Sequence, residues 1–208
     1  MYIFKRHKKT KIGIAFGGGG ARGYTHLGVI KALEEYNIKA SDFSMISGTS
    51  VGSIVGAFYA SGATYKEMFN IAKNIDLSEI RTSKIPFMPS KTDGIQDVIK
   101  RNLGDINIED LPMPFACIAT DLKSTKEIVF RNGNLTKAIA GSCCVPGIFV
   151  PVVYGKYNLA DGGLRNNIPT NVPKKFGCDY VIGIDVNKYR TYGTDSIKLT
   201  DVLPATIR

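Results

Sequence analysis

Three features of this 208-residue sequence predict an α/β domain of three layers, with helices on both sides of a mainly parallel sheet. An apolar run, Lys11 to Phe16, passes through a glycine-rich loop into a segment of helical spacing. A second run, Phe43 to Ser47, passes through a tight turn into another such segment, and a late apolar run, Tyr180 to Ile184, reads as a last buried strand. Strand then helix, twice over, gives parallel strands joined by right-handed crossovers.

Each element has its own warrant. Leu27, Ile30, Ala32 and Leu33 recur at helical spacing after the first strand, and Ser50 to about Ala60 forms the helix after the second. Further helices are expected over roughly Thr64 to Asn74 and Gly94 to Leu103. Phe115 to Thr120 and Glu127 to Phe130 read as strands, and Thr136 to Cys143 as a short helix stopped by Pro146-Gly147. Val150 to Tyr157 is extended and leads to Leu159-Ala160-Asp161-Gly162-Gly163, and Asp195 to Ile207 opens one more helix. The proline-rich stretch from Leu77 to Ser90 suits either a lid over a cleft or an ordinary connector.

Composition narrows the function classes. With 44% hydrophobic and 22% charged residues, one soluble domain with a single core is expected, preceded by a basic tail over residues 1–10. No apolar run approaches the roughly 18 residues of a membrane span, and the basic N-terminus lacks the apolar stretch and cleavage site of a signal peptide. A cytoplasmic protein is therefore expected. Cys117, Cys143, Cys144 and Cys178 lack C-x-x-C spacing and sit in apolar surroundings, which suits packed, reduced thiols and no metal site. The net charge of +9, concentrated partly between Lys5 and Lys11, suits either a solvated tail or peripheral contact with an anionic membrane surface. Nothing in the pattern of basic and aromatic residues supports nucleic-acid readout.

Two motifs carry chemistry. Gly48-Thr49-Ser50-Val51-Gly52 is G-x-S-x-G between a strand and a helix, a turn that projects a serine hydroxyl beside a helix N-terminus; the alternative is a serine that only caps the helix. Phe16 to Gly23, with Gly18, Gly19, Gly20, Ala21, Arg22 and Gly23, offers bare backbone N–H groups at the start of a helix and so binds an anion. That anion is either a dinucleotide pyrophosphate, since Gly18, Gly20 and Gly23 fit G-x-G-x-x-G, or the oxyanion of an acyl-transfer intermediate. The acidic residue a Rossmann site needs at the end of the second strand is missing, because Gly48 to Ser50 stand there. A P-loop lacks its Lys-Ser/Thr. Arg22 serves either a lipid phosphate or the loop itself, through a carboxylate.

A serine nucleophile needs a base. His7 lies in the basic tail, and His26, on the first helix, reads as a packed side chain satisfied by backbone. The base is then a carboxylate, and Asp121, Asp161 and Asp185 sit near strand ends; only Asp161 is followed by two glycines.

The ordered set Gly18 to Gly23, Gly48 to Gly52 and Asp161-Gly162-Gly163 resembles the oxyanion loop, nucleophile elbow and D-G-A/G element of patatin-like phospholipases. The resemblance runs from about Lys11 to Val186 and takes in Ala119-Thr120-Asp121-Leu122 and Ser142-Cys143-Cys144-Val145-Pro146-Gly147. It implies a Ser50-Asp161 dyad, an oxyanion held by the amides of Gly18, Gly19, Gly20 and Val51, and hydrolysis of lipid acyl esters with no metal or cofactor. Arg22, Gly23, Gly48, Gly52, Gly162 and Gly163 would support the site. Bacterial relatives continue past the last strand, so residues 11–208 are expected to hold a domain cut short at its C-terminus. A nucleotide-binding module and a non-catalytic lipid-binding protein of the same fold are the other readings.

Overall fold

The computed structural model describes residues 9–75, 80 and 89–187. His7, most of the Leu77 to Ser90 stretch and the expected helix over Asp195 to Ile207 lie outside the described residues. A seven-stranded mixed sheet forms the centre: β1 (Ile12–Phe16), β2 (Met45–Thr49), β3 (Phe115–Asp121), β4 (Lys126–Phe130), β5 (Val152–Tyr154), β6 (Tyr157–Asp161) and β7 (Tyr180–Ile184). Among the described residues the main helices are α1 (Tyr24–Glu35), α2 (Val51–Ala60), α3 (Tyr65–Lys73), α4 (Asp93–Leu103), α5 (Leu135–Ser142) and α6 (Asn171–Lys175).

Strands β7, β1, β2 and β3 run parallel, as the repeated strand-helix pattern requires. Beyond β3 the sheet turns antiparallel, with β4 and β6 both pairing β3 and β5 pairing β6. The β5–β6 hairpin is absent from the sequence reading, which runs Val150 to Tyr157 as one extended stretch. Tyr154 pairs Tyr157 across a two-residue turn, and Gly155 in it takes φ +58, a left-handed conformation that glycine adopts without cost.

The side chains of the sheet alternate between two unequal cores. Ile14, Phe16, Ile46, Phe115 and Cys117 face a large cluster built with Leu27 and Ile30 of α1, Met68 of α3, Ile99 of α4 and Ile139 of α5. Met45, Ala116 and Ile118 face the other way, onto Val172 of α6 and Cys178. Local signals also hold. Thr64 and Glu67 form a reciprocal capping box that starts α3, and the Asn134 side chain accepts from Lys137 N–H to start α5. No helix among the described residues is long and apolar enough to cross a membrane.

Strand β3 is the branch point that positions the site. Ile118 pairs Thr49, the last residue of β2, while the next residue, Ala119, pairs Asp161, the last residue of β6. Strand β4 occupies the opposite edge of β3, pairing both Ile118 and Ala119. Since β2 runs parallel to β3 and β6 antiparallel, their C-terminal ends arrive head-on against neighbouring residues of one strand.

Candidate active site

Ser50 leaves β2 and caps α2 with φ 53 and ψ −129, a left-handed conformation for a residue with a Cβ. Such a conformation costs on the order of 1 to 3 kcal/mol and persists only where the surroundings enforce it. Here they do. A Cβ on Gly48 would collide with the Gly52 carbonyl, and one on Gly52 with the Phe16 carbonyl, so α2 leaves β2 at a distance only glycine permits. The Ser50 N–H donates to Ser142 Oγ at 2.8 Å, and the Ser142 hydroxyl in turn donates to the Ile118 carbonyl. The side chain of Ser50 makes no capping bond, so the bland role of helix cap is not the one it plays.

Asp161 is held from both sides along its backbone. Its N–H donates to the Cys144 carbonyl at 2.8 Å, and its carbonyl accepts from Thr120 Oγ1 at 3.0 Å. Gly162 lets the chain turn against β3, where a Cβ would meet the Ile118 carbonyl. One carboxylate oxygen, Oδ1, accepts from Gly163 N–H at 2.7 Å. The other, Oδ2, is buried without a hydrogen-bond partner, the only carboxylate oxygen so placed among the described residues.

Burial pushes the Asp161 carboxyl above its ordinary value, against the opposing pull of the Ser50 hydroxyl and the Gly163 amide. The Ser50 hydroxyl is thus near enough to be felt by the carboxylate. Three buried thiols feel the same carboxylate. Burial raises Cys117 to about 12 and Cys144 to about 11 and lifts Cys143, and the Asp161 charge pushes each the same way, so all three are neutral.

The glycine loop lies beside this pair. A Cβ on Gly18 would approach Ser50 Cβ to 3.2 Å, and one on Gly23 would strike Val51 Cγ2. Of the four amides expected to hold an oxyanion, that of Gly18 is already engaged, donating to the Asn167 carbonyl at 3.0 Å. Gly18 therefore leaves the donor set and serves as a close-packing position. Gly19 caps the 3-10 turn Gly20–Gly23 and Val51 opens α2, so the amides of Gly19, Gly20 and Val51 stand at helix starts, where no preceding turn supplies an acceptor.

The other sequence candidates have structural work. His26 is fully buried with Nε2 at 2.8 Å from the Gly17 carbonyl. A carbonyl only accepts, so Nε2 carries the proton and holds the loop. Asp121 accepts from Ser124 Oγ and from the Ser124 and Asn158 amides, which hold its carboxyl at about 2 and tie the β3–β4 turn to β6. Asp185 accepts from the backbone and side-chain amides of Asn187. Arg22 does stabilise the loop, though through the Gly19 carbonyl, to which its backbone N–H donates at 3.1 Å and its Nε at 3.4 Å, and not through a carboxylate. Ser142, Thr120, Asn167 and Asn187 were not among the expected site residues. Thr120 and Ser142 do lie in two of the segments that carry the family resemblance, but their grip on backbone has no local pattern in a sequence.

Comparison with known proteins gives the family of the chain. An uncharacterised NTE family protein of Mycobacterium bovis is 33% identical over 181 residues, covering 85% of this chain and 49% of its own length. Lysophospholipase NTE1 of Mycosarcoma maydis is 34% identical over 194 residues, covering 88% of this chain and 10% of its own. The chain thus spans about half the length of the mycobacterial relatives it matches and a small part of the longer ones. Among solved structures, VipD from Legionella pneumophila superposes with a TM-score of 0.64 at 15% identity over 78% of this chain and 47% of that one, a likeness of fold. The family described as patatin-like phospholipase matches residues 14–173, which hold the glycine loop, Ser50 and Asp161, and this chain belongs to that family.

Proposed function

We propose that this chain is a serine acyl hydrolase that cleaves carboxylic esters of lipids, as a phospholipase A, lysophospholipase or esterase does, through a Ser50-Asp161 dyad. The observation that carries the reading is the register at β3, where Thr49 and Asp161 pair consecutive residues and so bring the strained serine to a buried carboxylate with a free oxygen. Family membership and the lysophospholipase name of a relative support the substrate class.

In the mechanism, Ser50 Oγ attacks the ester carbonyl as Asp161 Oδ2 takes its proton. The amides of Gly19, Gly20 and Val51 receive the oxyanion, aided by the N-terminal end of α2. Collapse of the intermediate expels the alcohol, which takes the proton from Asp161, and water then hydrolyses the acyl-enzyme by the same route. An aspartate of ordinary pKa, near 3.9, is a poor base at neutral pH. Burial raises its basicity and narrows that mismatch. The protein is proposed to work in the cytoplasm, and its positive charge favours peripheral contact with anionic membrane, where its substrate would lie.

Labelling with a fluorophosphonate followed by mass spectrometry tests the assignment. The adduct is expected on Ser50, and Ser50→Ala and Asp161→Asn should each lose essentially all hydrolysis of a short-chain aryl ester while keeping the fold. Full activity in either variant sinks the dyad. Vesicle binding with no adduct would point to a non-catalytic lipid-binding protein, and NAD or ATP binding with no adduct to a nucleotide module.

A further inference from the structure

Three consecutive carbonyls of the glycine loop are each held by a side chain. His26 Nε2 holds that of Gly17, Asn167 Nδ2 (3.3 Å) and Asn187 Nδ2 (2.8 Å) hold that of Gly18, and Arg22 Nε holds that of Gly19. In a trans peptide the C=O and the following N–H point in opposite directions. A side chain that fixes one carbonyl therefore fixes the direction of the next residue's N–H. For the Gly17 peptide that N–H is Gly18's, which goes to the Asn167 carbonyl. For the Gly18 peptide it is Gly19's.

We infer that Asn167 and Asn187 are positioning residues that together clasp the Gly18 carbonyl and so aim and polarise the Gly19 N–H as the leading oxyanion donor. The inference rests on the serine hydrolase reading and deepens it.

The orientation of the Asn187 amide follows from its surroundings. Its nitrogen faces the Gly18 carbonyl and Asp185 Oδ1, at 3.1 Å, and both of these only accept, so the NH2 group must stand there. Asp185 also accepts from the Asn187 backbone N–H at 2.8 Å, which anchors the residue just past β7. This gives Asp185 a role that its strand-end position suggested without specifying. Asn167 grips Gly18 twice, its backbone carbonyl taking the Gly18 N–H and its side chain donating to the Gly18 carbonyl. Its Oδ1 also lies 2.6 Å from where a Cβ on Gly18 would stand and 2.9 Å from one on Gly163, so one residue spans the glycine loop and the turn that carries Asp161.

Two donors on one carbonyl draw electron density through the peptide and make its N–H a stronger donor, since hydrogen bonds in series reinforce one another. The loop needs this help because glycines alone leave the peptide free to rotate. A peptide flipped at Gly18–Gly19 would present a carbonyl to the oxyanion in place of an N–H.

The test uses the 208-residue chain with Asn187→Ala, Asn187→Asp and Asn167→Ala. Asn187→Asp keeps the shape and removes the donor. The kcat for p-nitrophenyl butyrate should fall about tenfold in each variant, with KM within about twofold and the rate of fluorophosphonate labelling of Ser50 falling in the same ratio. In 15N-labelled protein the Gly19 amide proton should move upfield and exchange faster with solvent, a change that a merely structural role elsewhere in the fold does not produce. Unchanged kcat and labelling in the Asn187 variants, or an unmoved Gly19 resonance, overturns the inference while leaving the hydrolase reading intact. A wild-type chain that neither turns over the ester nor labels at Ser50 overturns the hydrolase reading, and the catalytic side of this inference with it.

Discussion

Asp161 and Ser50 are both costly residues where they stand, one as a buried carboxyl and the other as a non-glycine in left-handed backbone. Costs of this kind leave a signature in the response to pH. Because burial raises the Asp161 pKa in the fold, the carboxylate form is disfavoured relative to the unfolded chain, whose value is near 3.9. The penalty is present above the folded pKa and is relieved as pH falls through it towards the unfolded value. Asp161→Asn, neutral at every pH, should therefore be inactive yet at least as stable as wild type at pH 7, by on the order of 1 kcal/mol in urea denaturation. The acid limb of kcat/KM in the wild type should fall above the ordinary carboxylate range. A limb at or below pH 4 would show that Asp161 is not the titrating base. Glycine motifs and the serine were legible at this scale, because backbone clashes demand particular residues. The roles of Ser142, Thr120 and Asn187 were not, since any hydroxyl or amide elsewhere in the sequence looks the same, although Thr120 and Ser142 lie in segments that carry the resemblance.

At the scale of elements, two substitutions separate fold from site. The β2–α2 crossing tolerates no side chain at Gly48, so Gly48→Ala is expected to destabilise the protein by about 3 kcal/mol or more and abolish activity together. Thr64→Ala removes the hydroxyl that accepts from Glu67 N–H and donates to Glu67 Oε2 at the start of α3. It should cost about 1 kcal/mol of stability and leave ester turnover unchanged, as thermal melting and initial rates would record. Equal losses of activity in the two variants would contradict the assignment of the site to the β2–α2 turn. Helices and parallel strands were readable from periodicity and caps. The hairpin of β5 and β6 was not, because Val152 to Asp161 has no break in extended character except Gly155, and the pairing that turns it back is made with β3.

Across the whole molecule the helices gather on one face of the sheet, while α6 alone covers the other among the described residues. The large core reaches the site through His26, which packs edge-on against Phe16 and holds the Gly17 carbonyl. Burial pushes the His26 pKa below its ordinary 6.5, with the Gly17 hydrogen bond and the Asp185 carboxylate pulling the other way. The unfolded chain then binds the extra proton first, so stability is full above about pH 6.5 and is lost as pH falls through the folded pKa. His26→Gln retains an N–H donor and removes the titration. It should flatten the slope of unfolding free energy just below pH 6.5, a slope worth at most about 1.4 kcal/mol per pH unit from one proton. An unaltered slope would assign the acid sensitivity to another group.

By itself the sequence determined the strand-helix repeats, the two glycine-dependent turns and the chemistry they suit, because periodicity and the absence of a Cβ act on near neighbours. The tertiary structure decided how the turn that carries Asp161 is brought to the β2–α2 turn and which amides of the glycine loop are already engaged. Those outcomes depend on an antiparallel strand ending one residue along β3 from the end of β2, and on carbonyls supplied to the Gly17 and Gly18 amides by Ile184 and Asn167, from distant parts of the chain. Register between strands far apart in sequence is set by the packing of the whole sheet, and no local pattern encodes it.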